Sequence, residues 1–258
     1  MELLQIYHPQ IPDFLARLAD TKEMLRLKGV GMDCGCEYTN YPAYRGCPPA
    51  SRYEHSLGVA LIIWHFTRSM EQSIAGLFHD ISTPVFSHTV DFLNRDYMQQ
   101  ESTEAGTEEI IRRSAQIGAL LCEYGVDPED VRDYHRYPIA DNDSPRLSAD
   151  RLEYTLRNFL RYERKTPEDI RRFYEDLTVC KNEDGQEELM FLHPGIGVEF
   201  TRLALNSSRL YVSDSDRYSM QYLAKLLGDA LFSHVLIRED LHTTEPAVIG
   251  RLLSRPET

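Results

Sequence analysis

The chain has 258 residues, 42% of them hydrophobic, and a formal net charge of −13, with an isoelectric point near 5.1. That is enough apolar material to bury a core and exclude wholesale disorder. The acidic balance excludes a general binder of nucleic-acid polymers, whose affinity rests on neutralising phosphates, but not a small phosphorylated ligand held in one basic pocket. The five cysteines are an odd number, and the opening stretch MELLQIYHPQIPDF carries Glu2, Pro9 and Pro12 in place of an apolar leader. Both point to reduced thiols in a cytoplasmic protein. The longest apolar run, LGVALIIWHF, is far too short to cross a membrane.

In chain order, residues 12–29 place Phe14, Leu15, Leu18, Leu25 and Leu27 on a helical period that ends at Gly29. Residues 30–51 are rich in Gly, Pro, Cys and Tyr and read as a loop with room for short strands. YEHSLGVALIIWHFTRSM is apolar almost all round, as a central buried helix should be, and EQSIAGLFHDIS forms a second, shorter apolar helix. AGTEEIIRRSAQIGALLCEYG is amphipathic and stops at Gly125. Asp127 and Thr166 each precede a proline and two acids, a helix-start signature, and Ser148 caps a helix between them. Two short runs around Asn-Glu-Asp-Gly-Gln predict one β-hairpin at about 177–192. Helices follow at 195–210 and 214–236, with a last one near Pro246. No repeat or linker interrupts this pattern, so residues 1–258 read as one all-α domain with a small hairpin insert.

Chemistry concentrates in His55, His79, Asp80 and Asp150, spaced H-x₂₃-HD-x₆₉-D. Adjacent residues inside a helix point about 100° apart, so the His79–Asp80 pair cannot converge mid-helix. Where a helix stops, the backbone opens and both side chains can reach one ion. Two imidazoles and two carboxylates suit one divalent cation of the Mn, Fe, Co, Ni or Zn type, with Mg also open. Taken alone, a His-Asp pair is more often polar decoration. Cys34, Cys36 and Cys47 lack the usual zinc spacing. His65, on the first histidine's helix, reads as core or edge. Arg151, Arg157 and Arg161 read as a solvated face, with Arg151 the one nearest a phosphate. Tyrosines of EYTNYPAYRG could stack on a base but more commonly pack on their own domain.

The segments SRYEHSLGV, AGLFHDISTPVFSH and ADRLEYTLRN together resemble the three hallmark segments of HD-domain metal-dependent phosphohydrolases, nearest to the deoxynucleoside triphosphate triphosphohydrolase branch. The resemblance covers roughly residues 12–235. It implies an HD-domain helical bundle with its core at about 50–165 and C-terminal helices at about 195–255. It also implies metal ligands at His55, His79, Asp80 and Asp150, and phosphate contacts from Arg52 and His88. Asp91 would join a catalytic His/Asp group, and Tyr154 and Tyr218 would lie near sugar and base. Asp80 would orient the attacking water.

Departures from the family pattern bear on the substrate. Thr83 replaces a catalytic histidine, Thr103 a second one, Asn158 an aspartate, and Gln221 a phosphate-gripping lysine. Glu104, beside the second lost histidine, is the spare acid/base, although Glu104, Glu108 and Glu109 also read as a solvated helix start. Threonine cannot supply a proton near neutral pH. The reading is therefore a hydrolase of a phosphoester or phosphoanhydride of a nucleotide or similar small phosphorylated molecule, with no membrane partner and with homo-oligomer formation open. A triphosphohydrolase of the usual type, a monophosphate phosphatase, a cyclic-nucleotide phosphodiesterase and a non-catalytic nucleotide-binding module remain alternatives.

Overall fold

The computed structural model describes residues 2–94 and 106–254. Helices α1 (Glu2–Tyr7), α2 (Asp13–Ala19) and α3 (Lys22–Arg26) lead into a loop that contains two short 3₁₀ turns and one isolated bridge, Gly31 to Ser51. The helix predicted over 12–29 is therefore broken. Thr21 adopts an extended backbone and its hydroxyl bonds back to the Leu18 carbonyl at 2.8 Å, a local bond that competes with helix continuation.

At the centre lies α4 (Arg52–Thr67), capped by Ser51 and buried continuously from His55 to Ile63. It packs against α5 (Met70–Phe78), α10 (Ala149–Arg161), α1 and α2, which explains why its sequence shows no polar face. Between α5 and α10 run α6 (Thr89–Asn94), α7 (Thr107–Arg113), α8 (Ala115–Tyr124) and α9 (Pro128–Val131). The single amphipathic stretch predicted over 105–125 is split at Ser114, whose extended backbone and hydroxyl start α8 as its cap. That helix ends at Gly125, φ 68°, a left-handed conformation that glycine adopts without strain.

After α11 (Pro167–Glu175), strands β1 (Leu177–Lys181) and β2 (Glu187–Phe191) form the predicted hairpin, paired from Leu177↔Phe191 to Lys181↔Glu187. Helices α12 (Pro194–Tyr211), α13 (Asp214–Phe232) and α14 (Glu245–Leu253) complete the chain. The main core joins α1–α5 to α8, α10 and α11. A smaller cluster clamps Val85, Phe86 and Val90 against Leu227, Leu236, Leu241 and Val248, so the C-terminal helices seat the segment after the His-Asp pair. No helix among the described residues is long and apolar enough to cross a membrane.

Candidate metal centre

Helix α5 ends at Phe78, and His79 and Asp80 follow at once in a tight turn closed by Ile81 N–H to Phe78 O (3.0 Å) and Thr83 N–H to Asp80 O (2.9 Å). His55 stands on the first turn of α4 and Asp150 on the first turn of α10. Donor atoms of His55, His79 and Asp80 lie within 4.8 Å of one another. Asp150 Oδ1 sits 2.9 Å from His55 Nε2 and 3.7 Å from His79 Nε2, and Asp80 Oδ2 is 3.4 Å from His79 Nε2.

Each imidazole is fixed from behind. His79 Nδ1 meets the Gly76 carbonyl at 2.7 Å, and His55 Nδ1 meets Glu153 Oε2 at 2.7 Å. With Nδ1 as the donor, both Nε2 lone pairs are presented to the same point, the arrangement in which histidine binds a metal. The donor set fits a divalent ion of borderline character.

The electrostatics agree. Burial alone would raise the Asp80 carboxyl, but Arg52, then His79 and His55, hold it well below the usual carboxylate range. Burial also raises Asp150, and His55 and His79 more than offset it. Burial pulls the His55 imidazolium down, yet the Asp150 and Glu153 carboxylates push its pKa up to about 9. A cation is thus favoured at this point whether it is a proton or a metal.

The Glu153 carboxylate was not singled out in the sequence. It is fully buried and bridges His55 to Arg157, whose Nη2 donates to Oε1 at 2.5 Å. The signal was present: Glu153 lies three residues after Asp150, on the same face of α10. Its room comes from Gly58 on α4, where an added Cβ would stand 2.7 Å from the Glu153 side chain. The arginines expected to form a solvated face do not. Arg157 is buried on Glu153, and Arg161 pairs with Asp33, because carboxylates on neighbouring elements supply their partners. Arg151 is turned to Asp141 (3.0 Å) and Asn142 and does not line the cavity.

The four-residue cradle opens into a cavity of about 360 Å³, which also reaches Arg52, His88, Tyr154 and Asn158. Arg52 reaches it through Asp80: its Nη1 donates to both oxygens at 3.1 and 2.9 Å, while Nε donates to Ser87 Oγ. His88 is part-exposed, with Nδ1 2.9 Å from the fully buried Asp91 carboxylate. Phe86 and Ser87 just before it hold left-handed backbones, φ 59° and 46°, conformations that cost roughly 1–3 kcal/mol each. They persist because Glu245 on α14 accepts the Phe86 N–H, Leu241 O accepts the Val85 N–H, and Ser87 is bonded to both Arg52 and Gly31. This turn aims His88 at the cavity.

Thr83 is buried and donates to Asp80 Oδ1 at 2.7 Å, so it braces the cradle. Tyr218 does not reach the site: it is 61% exposed and stacked on Tyr222, since its position on α13 faces away from the bundle while Asp216 and Met220 face in and the exposed Arg217 still lines the cavity. Gln221 is likewise exposed. Cys34 lines the cavity, its thiol pushed up to about 12 by burial. Glu104 and Thr103 lie outside the described residues.

Two relatives extend these observations. The chain is 28% identical over 255 residues to the uncharacterized protein YdhJ of Bacillus subtilis, covering 98% of this chain and 75% of that one. It is 24% identical over 211 residues to the metal-dependent phosphohydrolase cns2 of Cordyceps militaris, covering 80% of this chain and 56% of that protein. Residues 52–221, from Arg52 beside the first histidine into α13, match the HD domain family, and the chain belongs to it.

Proposed function

We propose that the protein, a metal-dependent phosphohydrolase of the HD superfamily, hydrolyses a nucleotide or similar small molecule that carries a single phosphoryl group at the scissile end. The observation that carries this reading is the charge inventory of the cavity. Its lining holds the carboxylates of Asp33, Asp80, Asp150 and Asp216, only two arginines, Arg52 and Arg217, and no lysine among the described residues. Arg52 is already committed to Asp80. A triphosphate would bring more negative charge than this lining can pair, whereas one phosphoryl group at the cradle is matched. Five tyrosines, Tyr44, Tyr134, Tyr154, Tyr162 and Tyr211, supply apolar ring surface for a base.

His55, His79, Asp80 and Asp150 would hold the divalent ion, with Glu153 orienting His55. The ion supplies Lewis acidity toward a phosphoryl oxygen and makes water a nucleophile near neutral pH. The chain's own groups do the rest. Arg52 holds Asp80 ionised and directed at the reacting point. Of the three histidines lining the cavity, His88 alone stands outside the cradle. With Asp91 accepting from Nδ1, its Nε2 is left to give a proton to the leaving oxygen or to bond a phosphate. This assigns to His88 the proton handling that Thr83, locked on Asp80, does not perform.

The test is a panel of nucleoside mono- and triphosphates and cyclic nucleotides with Mn²⁺, Fe²⁺, Ni²⁺, Co²⁺, Zn²⁺ or Mg²⁺, following phosphate and tripolyphosphate separately. Monophosphates should be the better substrates. Rapid tripolyphosphate release from a deoxynucleoside triphosphate would overturn the single-phosphoryl reading and return the protein to the usual activity of that branch.

A further inference from the structure

Asp216 on α13 lines the cavity and is buried, yet it forms no ion pair among the described residues. Asp80 has Arg52 and Asp33 has Arg161, while Asp150 belongs to the metal cradle beside His55. Asp216 Oδ1 accepts the Tyr44 hydroxyl at 2.5 Å and the Cys36 thiol at 3.7 Å. No hydrogen bond to Oδ2 is present among the described residues, and this oxygen is not sealed from solvent. An oxygen without a protein donor takes one from water or from a ligand that displaces it. Burial correspondingly raises the Asp216 carboxyl.

What donates cannot be the phosphate, which carries the same sign. One neighbouring residue narrows the choice. Arg217, the next residue, lines the same cavity with its guanidinium over the Phe92 ring at 5.8 Å and forms no carboxylate pair among the described residues. The cavity wall therefore offers an acceptor, Asp216 Oδ2, and a donor, Arg217. A hydroxyl satisfies both, because it donates one hydrogen and accepts through its lone pairs. An exocyclic amine fills only the first role and a carbonyl only the second.

Resting on the reading that this cavity takes a nucleotide-like phosphoester, we infer that Asp216 and Arg217 form the subsite for a sugar hydroxyl, so the protein selects substrates that bear hydroxyls on the sugar over deoxygenated ones. Tyr44 holds the Asp216 carboxylate in place, and its ring is itself set edge-on against Tyr162 at 6.3 Å.

Nucleosides test the subsite without any phosphoester cleavage, so its failure is separable from failure of the hydrolase reading, which the panel above decides. Calorimetric titration of the Mn²⁺-loaded protein with adenosine, guanosine, cytidine and uridine, and with their 2′,3′-dideoxy analogues, should show at least one parent nucleoside binding about 10- to 100-fold tighter than its analogue. Asp216→Asn should bring that ratio close to one. Arg217→Gln, at an exposed position that tolerates substitution, should lower it severalfold. Equal binding of each pair, absence of binding by all four nucleosides, or a ratio that survives both substitutions would overturn the inference. So would weaker binding of inosine than adenosine with the dideoxy analogue unaffected, because a base amine would then occupy Asp216.

Discussion

At the cradle end of the cavity, each imidazole is backed by an atom that a helix fixes: His55 by Glu153 of α10, and His79 by the Gly76 carbonyl of α5. Elsewhere in the lining, Tyr44 comes from the long loop before α4, and Asp216 and Arg217 from the first turns of α13. Asp216 Oδ2 takes no hydrogen bond among the described residues there. The cradle is a network in which both imidazoles and Asp80 are held by protein partners and the Nε2 lone pairs aim at one point. The second region is an incomplete network that a ligand finishes. Rigidity is needed where a cation is selected, since misplacing a donor by an ångström loses affinity. Incompleteness is needed where a substrate is recognised, since a satisfied wall has nothing to offer.

The contrast can be broken most severely at the cradle. Asp150→Ala should strip the metal, as elemental analysis of the purified protein would show, and lower turnover by about 10³-fold or more, given the several kcal/mol that a Lewis acid contributes. Wild-type metal content in that variant would remove Asp150 from the set. Next comes His88→Gln, which should reduce kcat by about 10²- to 10⁴-fold while metal content stays at the wild-type level; a parallel loss of metal would instead place His88 among the ligands. Glu153→Gln keeps the shape but not the charge. It should weaken metal affinity by about 10- to 100-fold, measured by competition with a chelator, and unchanged affinity would show that His55 is oriented without it.

Gly58→Ala sharpens the same comparison through packing alone. A methyl 2.7 Å from the Glu153 side chain should destabilise the fold by about 1–3 kcal/mol and weaken the metal less than Glu153→Gln does, read by denaturant unfolding and by the same competition. The smallest effect is expected at the outer face of α13. Tyr218→Ala should move stability by no more than about 0.5 kcal/mol and leave the kinetic constants unchanged. A marked rise in KM would bring Tyr218 back into the substrate wall.

The longer helices in their order, the hairpin, the caps at Asp127, Ser148 and Thr166, and the placement of His79 and Asp80 at a helix end were legible in the sequence. They follow from local rules: apolar period, capping side chains and turn residues each act within a few positions. The breaks at Thr21 and Ser114 were not anticipated, because a hydroxyl competing for the backbone is weak and the surrounding packing decides whether it wins. Sequence could pair His55 with Asp150 only through resemblance. The fold made the pairing physical by bringing the first turns of α4 and α10 together. Only the tertiary structure decided the fate of the arginines on α10, because whether a guanidinium is solvated depends on carboxylates such as Asp33, more than a hundred residues away in the chain. For the same reason Asp216 escaped notice: an aspartate in the first turn of a helix looks like helix-dipole decoration. It becomes a candidate ligand group only once folding buries it beside Tyr44 in the wall of a cavity, with one oxygen unbonded among the described residues.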